Sequence, residues 1–466
     1  MSAAEADPVG LARAVLAGEP AWLVGGAVRD RLLGRTTTDL DLAVAGDPQD
    51  AARRLARAAR GTAFELSGTH GAWRVVRRDR PGHLDLLALQ GEAIEADLAR
   101  RDFTVNAMAE PLHGGPLVDP FGGRADLAAR RLRMVAARAF SDDPLRVLRL
   151  ARIACELDLE PDPLSSRAAA ARARGLAAVA PERVFGEVKR ILSADRAVAG
   201  LELAEDVGAA QVVLPELSAL HGVEQNVYHH RDVHGHTLEV LQALIDLQAD
   251  PGRYLGDQGP GVAALMAEPL ADELTRGQAL RFAALLHDTA KPVTRAVTPE
   301  GRVTFIGHDV AGAELARAVL TRLRAAEKLR AFVAAVTLHH LRLGFLVHRQ
   351  PLDRRGLYRY LRATDRVAVD VTVLTVADRL ATRGRKAQEA IDRHLELARR
   401  VLGAALPWHA GRRPRSPVRG DELARELGLR GPDIGRVLAA LEEASYAGEI
   451  ATREEALTRA RALADT

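Results

Sequence analysis

Two glycines and two aspartates supply the first chemical signal in this 466-residue chain. Gly25-Gly26 follows the apolar run Leu23-Val24, and Asp39-Leu40-Asp41 lies shortly downstream of Arg29-Asp30. Adjacent glycines let a backbone turn tightly and approach phosphate oxygens. Carboxylates two residues apart on an apolar strand point the same way and offer hard oxygen ligands to a divalent cation. Amides for phosphate beside oxygens for a cation fit nucleotide chemistry. Asp85, within His83-Leu84-Asp85-Leu86-Leu87, either completes such a site from a neighbouring strand or lies on the surface of an edge strand.

Further along stand Arg100-Arg101-Asp102-Phe103-Thr104-Val105-Asn106. Paired guanidinium groups make forked contacts with phosphate, and the adjacent carboxylate suits ribose hydroxyls. Asn106 adds a neutral donor and acceptor. From Asp142-Asp143-Pro144-Leu145-Arg146 the pattern turns helical, and Arg149 and Arg152 continue it as further candidates for nucleotide contact. Asp143 and Arg146 are three apart, so they share a helix face and can present an acceptor and a donor to the edge of a base. Pro181-Glu182-Arg183 opens another helix with Glu187 one turn on; these three polar residues are expected to buttress the helix of Arg146.

Histidines and aspartates form a separate set. His229, His230, His234 and His236 precede or open a helix; His287-Asp288 ends an apolar one; His308, His339, His340 and Asp378 recur on later helices. His236, His287, Asp288 and Asp378 make a mixed nitrogen and oxygen set suited to a divalent transition metal such as nickel, manganese, iron or cobalt. His308 with His339 or His340 is expected to complete a second metal site or to hold phosphate.

The order and spacing of Gly25-Gly26, Arg29-Asp30 and Asp39-x-Asp41 resemble the bacterial class II tRNA nucleotidyltransferase and poly(A) polymerase family. Arg100 to Ala107 is similar to that family's nucleotide motif at each of its fixed positions. Asp142 to Arg146 matches its base-selecting motif, with Asp142 where glutamate is usual. The resemblance implies that Asp39 and Asp41 hold magnesium and that Gly25 and Gly26 cradle phosphate, supported by Arg29 and Asp30. It further implies that Arg100, Arg101, Asp102 and Asn106 position the sugar and phosphates while Asp143 and Arg146 choose the base. Asp119-Pro120-Phe121-Gly122-Gly123 is associated there with a hinge, the other reading being a rigid turn. The histidine set resembles the HD phosphohydrolase superfamily.

The implied activity is template-independent transfer of CMP and AMP from CTP and ATP to a tRNA 3′ end, building or repairing CCA with release of pyrophosphate. Poly(A) addition, or addition of CC or A alone, is compatible with the same motifs. An account of a different class is a metal-dependent phosphohydrolase acting on 2′,3′-cyclic or monoester phosphates, with a head that only senses nucleotide. Complete Asp39, Asp41, Asp143 and Arg146 sets argue against it.

Several elements must position these residues. Strands are expected at 21–24, 38–44, 62–66, 72–77 and 83–88, with helices at 27–33 and 48–60. The chain is too long for one ordinary core. It reads as an α+β protein: a polymerase β-like nucleotidyltransferase head at 1–135, a helical base-selecting and RNA-binding neck at 136–215, and an HD module at 220–400. A basic Pro/Arg linker at 401–420, solvated or touching RNA, precedes a helical C-terminal segment at 421–466. A Gly/Pro-rich loop insertion is expected at 250–275 and an Ala/Arg helix at 167–178. The single cysteine, Cys155, rules out an internal disulfide and fits a reducing, cytoplasmic setting. No run of about 18 uninterrupted apolar residues suggests a membrane span.

Overall fold

The computed structural model describes residues 7–67, 71–77, 82–225, 231–348, 351–382 and 387–464. The chain divides into two compact units, Met1–Val213 and Leu214–Thr466.

The first unit is built on a six-stranded sheet in the order β3-β4-β5-β2-β1-β6. The strands are β1 (Ala21–Val24), β2 (Leu40–Val44), β3 (Thr62–Ser67), β4 (Ala72–Val76), β5 (His83–Ala88) and β6 (Ala109–Pro111). β2 and β5 run parallel, with Asp41 opposite Asp85, and the other pairs of this sheet are antiparallel. Side chains alternate along β2. Leu40, Leu42 and Val44 enter the core shared with α1 (Pro8–Val15) and α3 (Pro48–Ala58). The opposite face carries Asp41 and Ala43; Ala43 packs with Val24, Leu98 and Ala107. Asp47 accepts from the Gln49 amide at 2.9 Å and Pro48 opens α3, a cap that contributes about 1 kcal/mol.

α2 (Gly26–Leu32) follows β1 directly, and α4 (Ile94–Leu98) leads into a short 3₁₀ turn at Thr104–Asn106. α5 (Gly123–Ala128) begins at the expected hinge. There the Asp119 carboxylate accepts from the amides of Gly123 (2.6 Å) and Arg124 (3.0 Å), and a β-carbon on Gly123 would lie 2.1 Å from the Thr104 carbonyl oxygen. That geometry is a packed cap.

Behind the sheet come α6 (Ala139–Asp142), α7 (Arg146–Leu157), α8 (Pro163–Ala170), α9 (Pro181–Ser193) and α10 (Ala197–Asp206). The helix expected from Asp142 onward is interrupted. Asp143 is extended (φ −147°, ψ 105°) because it precedes Pro144, which disfavours the helical region. Asp143 and Arg146 therefore do not share a helix face. The helix expected at 167–178 starts earlier, at the Asp162 cap, and gives way to a 3₁₀ turn at Ala173–Ala178. Cys155 is buried, and desolvation pushes its thiol up to about 12.

The second unit is helical. Its principal elements are α11 (Val233–Ala249), α12 (Arg276–Leu286), α13 (His308–Arg322), α14 (Glu327–His339), α15 (Ala368–Ala381) and α16 (Ala387–His409). The 250–275 segment is more ordered than a loop insertion: it holds helices at Pro251–Leu255 and Gly259–Met266 and a short hairpin. The run Glu327–Val347 is long and apolar enough to cross a bilayer, but Leu329, Phe332, Val333 and Val336 are buried inside this unit. Asp370 is also buried, held by Arg276 at 2.7 and 2.6 Å.

The expected linker at 401–420 is helical in its first part. Leu397, Ala398, Val401, Leu402, Ala405 and Trp408 recur at helical spacing and are all buried, which carries α16 on to His409. The last three helices, α17 (Gly420–Leu427), α18 (Pro432–Ala447) and α19 (Arg453–Ala464), share a small core around Leu423, Leu441 and Leu457. Glu443 on α18 meets Arg355 at 3.2 Å and Arg359 at 2.9 Å, so this segment is docked on its own unit.

Candidate nucleotide and metal sites

The glycine turn after β1 is shaped by what crowds it. Gly25 has φ +70°, and a β-carbon there would meet Arg101 Nη1 at 2.9 Å and Asp41 Oδ2 at 3.3 Å. Only glycine lets the backbone come this close. Arg29, on α2, grips Asp30 at 2.9 and 3.0 Å and donates to Asn106 Oδ1 at 2.6 Å. Asn106 donates in turn to Asp102 Oδ1 (3.1 Å), which also accepts from the Phe103 amide (2.8 Å). On the other side Asp102 Oδ2 pairs with Arg149 of α7 at 3.0 Å. Glu187 of α9 continues the network to Arg149 (4.0 Å) and Arg152. Burial pushes the Asp102 carboxyl up, but Arg149, Asn106 and the Phe103 amide outweigh it and hold it below its ordinary value. Asp102 is thus an organiser beneath the site.

Above this network lies a cavity of about 440 Å³ lined by Gly25, Gly26, Asp41, Arg100, Arg101, Arg146, Arg149 and Arg152, among others. Asp97 holds Arg101 at 3.0 Å. A second cavity, about 580 Å³, shares Arg100, Arg101 and Arg146 and adds Asp142 and Asp143. Arg146 donates to the carbonyls of Arg100 (2.7 Å) and Ala139 (3.1 Å), while its Nε is buried with no hydrogen-bond partner among the described residues. Asp143 Oδ2 accepts from Arg183 at 2.7 Å, the expected buttress. Glu182 lies in the first turn of α9, and Asp142 pairs at 3.4 Å with Arg138.

The carboxylates differ from expectation. Asp39 precedes β2 rather than lying on it, and its side chain is 57% exposed. His83 holds it through Nδ1 at 2.9 Å and its amide at 3.2 Å. Asp85 is neither a free ligand nor a bare surface residue: Arg74 on β4 grips it with two bonds of 2.7 Å. Asp41 faces the cavity. Burial raises its carboxyl above the ordinary value, Arg101 opposes this, and Asp85 adds to the rise. A half-buried carboxylate facing the cavity is a suitable oxygen donor for a hard cation. Asp39, engaged by His83, does not line that cavity.

In the helical unit, helix ends converge. His236 is on α11, His287 and Asp288 follow α12, His308 opens α13, His340 follows α14 and Asp378 is on α15. Their ligand atoms fall into two groups, each within 4.8 Å: His236, His287 and Asp378, then Asp288, His308 and His340. Asp288 links the groups, with Oδ2 3.2 Å from His287 Nε2 and Oδ1 3.4 Å from His308 Nε2. His236 Nε2 is 3.0 Å from Asp378 Oδ1. The Nδ1 atoms of His287, His308 and His340 each meet a carbonyl oxygen, at 2.8, 2.7 and 2.6 Å. A carbonyl only accepts, so Nδ1 carries the proton and each Nε2 keeps its lone pair. His308 and His340 Nε2 then face each other at 3.2 Å, an arrangement that calls for a cation. Burial, then the charge of His287, pulls His340 down to about 4. These residues fit two divalent ions.

Among the described residues His339 belongs to neither group, and its Nδ1 accepts from Arg342 at 2.9 Å. His229 and His230 lie outside the described residues. Lys291, 2.6 Å from Asp288 Oδ2, was missed, although its i+3 spacing from Asp288 was a readable signal. His83, Arg74 and Asp97 were also missed, since their pairings depend on strand register and packing.

Two consequences can be measured. A carboxyl whose folded pKa is lowered contributes stability above its unfolded value of about 3.9 and loses it as pH falls through the folded value. Asp102→Asn is expected to cost about 3 kcal/mol at neutral pH, with the gap to the parent closing below about pH 4 in urea denaturation. Manganese-loaded protein is expected to carry one ion for each of the two groups. Metal analysis after gel filtration should show His340→Ala losing one and His339→Ala keeping both; the reverse result would exchange their assignments.

Three family models match the chain. The poly A polymerase head domain covers residues 21–133, the probable RNA and SrmB-binding site of polymerase A covers 158–220, and the HD domain covers 233–383. A CC-adding tRNA nucleotidyltransferase of Thermus thermophilus is 38% identical over 94% of this chain and 92% of that protein. An A-adding tRNA nucleotidyltransferase of Deinococcus radiodurans is likewise 38% identical, over 94% of each. A solved CCA-adding enzyme in apo form I has the same fold, with a TM-score of 0.64 at 20% identity over 97% of this chain and 92% of that one. Head, RNA-binding and HD segments in this order, with such identity over nearly the full length of both relatives, show that the chain belongs to the tRNA nucleotidyltransferase and poly(A) polymerase family.

Proposed function

We propose that the protein transfers CMP and AMP from CTP and ATP to the 3′ end of tRNA, building or repairing CCA and releasing pyrophosphate. One observation carries this reading: a single cavity gathers Gly25, Gly26, Asp41 and the guanidinium groups of Arg100, Arg101, Arg146 and Arg149. The arginines around that cavity outnumber its carboxylates, Asp41, Asp97 and Asp102, and such an excess of positive charge suits a triphosphate better than a neutral ligand. Gly25 and Gly26 leave room for phosphate, Arg29 and Asp30 stiffen their turn, and Arg100 and Arg101 take the phosphate charge. Asp102 and Asn106 fix the segment that carries those arginines. Arg149 and Arg152, anchored by Asp102 and Glu187, give the cavity its neck-side wall.

Asp41, with Asp39 once released from His83, would hold magnesium, and that ion would supply Lewis acidity for the RNA 3′-hydroxyl and charge neutralisation for the pyrophosphate. Asp143 and Arg146 read the base. A carboxylate accepts from the exocyclic amino group that cytosine and adenine share, and a guanidinium donates to the ring nitrogen beside it. Uracil and guanine present the opposite pattern at these positions. Arg183 keeps Asp143 in place, and Glu182 and Asp142 support the surrounding helix ends. The neck meets tRNA through shape and phosphate contacts.

A second reading has its own support: the two relatives at 38% identity are named for CC addition and for A addition. This chain would then perform one half of the synthesis. The HD module would act separately as a metal-dependent phosphohydrolase, a reading supported by the opposed Nε2 lone pairs.

Purified protein is to be given tRNAs ending before CCA, after CC and after CCA, with labelled CTP and ATP. Two C and one A on the first, A alone on the second and nothing on the third are expected. Asp41→Ala should lower incorporation about a thousandfold, equivalent to ~4 kcal/mol. Only C or only A selects the half-reaction, and no incorporation on any RNA overturns the proposal.

A further inference from the structure

A cavity of about 480 Å³ opens beside the paired metal-ligand groups. Asp378 and His340 form one part of its wall, and His394, from α16, another. His394 lies beyond the stretch 233–383 that matches the HD domain. It is 5% exposed, and its Nε2 has no hydrogen-bond partner among the described residues. Arg379, also in the wall, has a buried Nε with no partner among the described residues, and it makes no ion pair there. A buried polar group left without a partner is costly. Two of them beside one metal-ligand carboxylate indicate a ligand that supplies acceptors.

The electrostatics agree. Burial pulls the His394 ring down to about 4, with Asp378 opposing and Arg379 adding. The neutral ring can donate one hydrogen bond, and Arg379 contributes a full positive charge. Arg393 and His348 also line it, and part of the wall is apolar: Phe345 is 63% exposed, with Leu341 and Val347 nearby. A charged, donor-rich inner wall with an exposed aromatic ring at the mouth matches a phosphate group carried on a nucleoside.

We propose that Arg379 and His394 anchor the phosphoryl oxygens of a nucleoside phosphate in the HD cavity, while Phe345 stacks on its base. The proposal rests on the reading of this module as a metal-dependent phosphohydrolase. Neither anchor is among the metal-ligand groups, so each acts on the substrate and leaves the metal in place.

The test is calorimetric titration of manganese-loaded full-length protein with inorganic phosphate, adenosine 2′,3′-cyclic phosphate and adenosine 3′-monophosphate. Arg379→Gln and His394→Leu should each weaken inorganic phosphate by about tenfold or more. His394→Gln, which keeps a donor, should retain most of the affinity. Phe345→Ala should weaken an adenosine ligand and spare inorganic phosphate. The adenosine ligand that loses affinity in all three damaging variants identifies a diester or a monoester as the natural class. Manganese content and melting temperature should match the parent throughout. Parent-like phosphate binding in both Arg379→Gln and His394→Leu, or none by the parent, overturns the proposal. A failed metal reading would show separately as parent protein that retains no manganese. The same titrations on that metal-free chain would then decide the anion site, variants equal to the parent refuting it.

Discussion

A carboxylate at 4% exposure has to be matched by donors or cations, and Asp102 is matched from both sides. Asn106 and the Phe103 amide hydrogen-bond one oxygen, and the charge of Arg149, 3.0 Å away, balances the other, which has no hydrogen-bond partner among the described residues. Asn106 passes the constraint to Arg29 and so to the glycine turn; Arg149 passes it to Glu187 and α9. The phosphate-side loop and the neck helix are therefore held by one buried anion. Removing a partner from such an arrangement is costly because the remaining charge cannot recover its water. Arg101 and Arg149, which line the cavity, are held by Asp97 and Asp102, while Arg146 takes its position from α7 and Asp143 is held by Arg183 of α9.

The helical unit solves a different electrostatic problem. Three imidazoles are protonated at Nδ1 by the geometry of helix-end carbonyls, which leaves their Nε2 lone pairs directed inward. Asp288 and Asp378 add negative charge to the same volume. Lys291 relieves part of it, at one Asp288 oxygen. Helix ends are well suited to this work, since each brings both a ligand and the carbonyl that orients it.

Local chemistry was legible in the sequence, and non-local pairing was not. The glycine turn, the Asp41 strand, the paired arginines and the helix-end histidines are all short-range patterns, and the structure gathers the first three around one cavity and most of the histidines at converging helix ends. The extended Asp143 was readable from Pro144 but was overridden by the helical periodicity around it. The pairings of Asp39 with His83 and of Asp85 with Arg74 were not legible, because they run through the β2–β5 and β4–β5 registers. His339 and His340 differ only in helix phase, which packing decides. α16 ran through an arginine- and proline-bearing stretch because its buried apolar spacing outweighed Pro407.

The dependence of nucleotide transfer on Asp102 can be measured with a double-mutant cycle. Asp102→Asn and Arg149→Met, separately and together, would be read as kcat/KM for CTP-dependent extension of a tRNA lacking CCA. If one buried anion holds both halves of the site, the effects are coupled by about 1–3 kcal/mol and the double variant is little worse than the more damaging single one. Effects that add to within about 0.5 kcal/mol would contradict it.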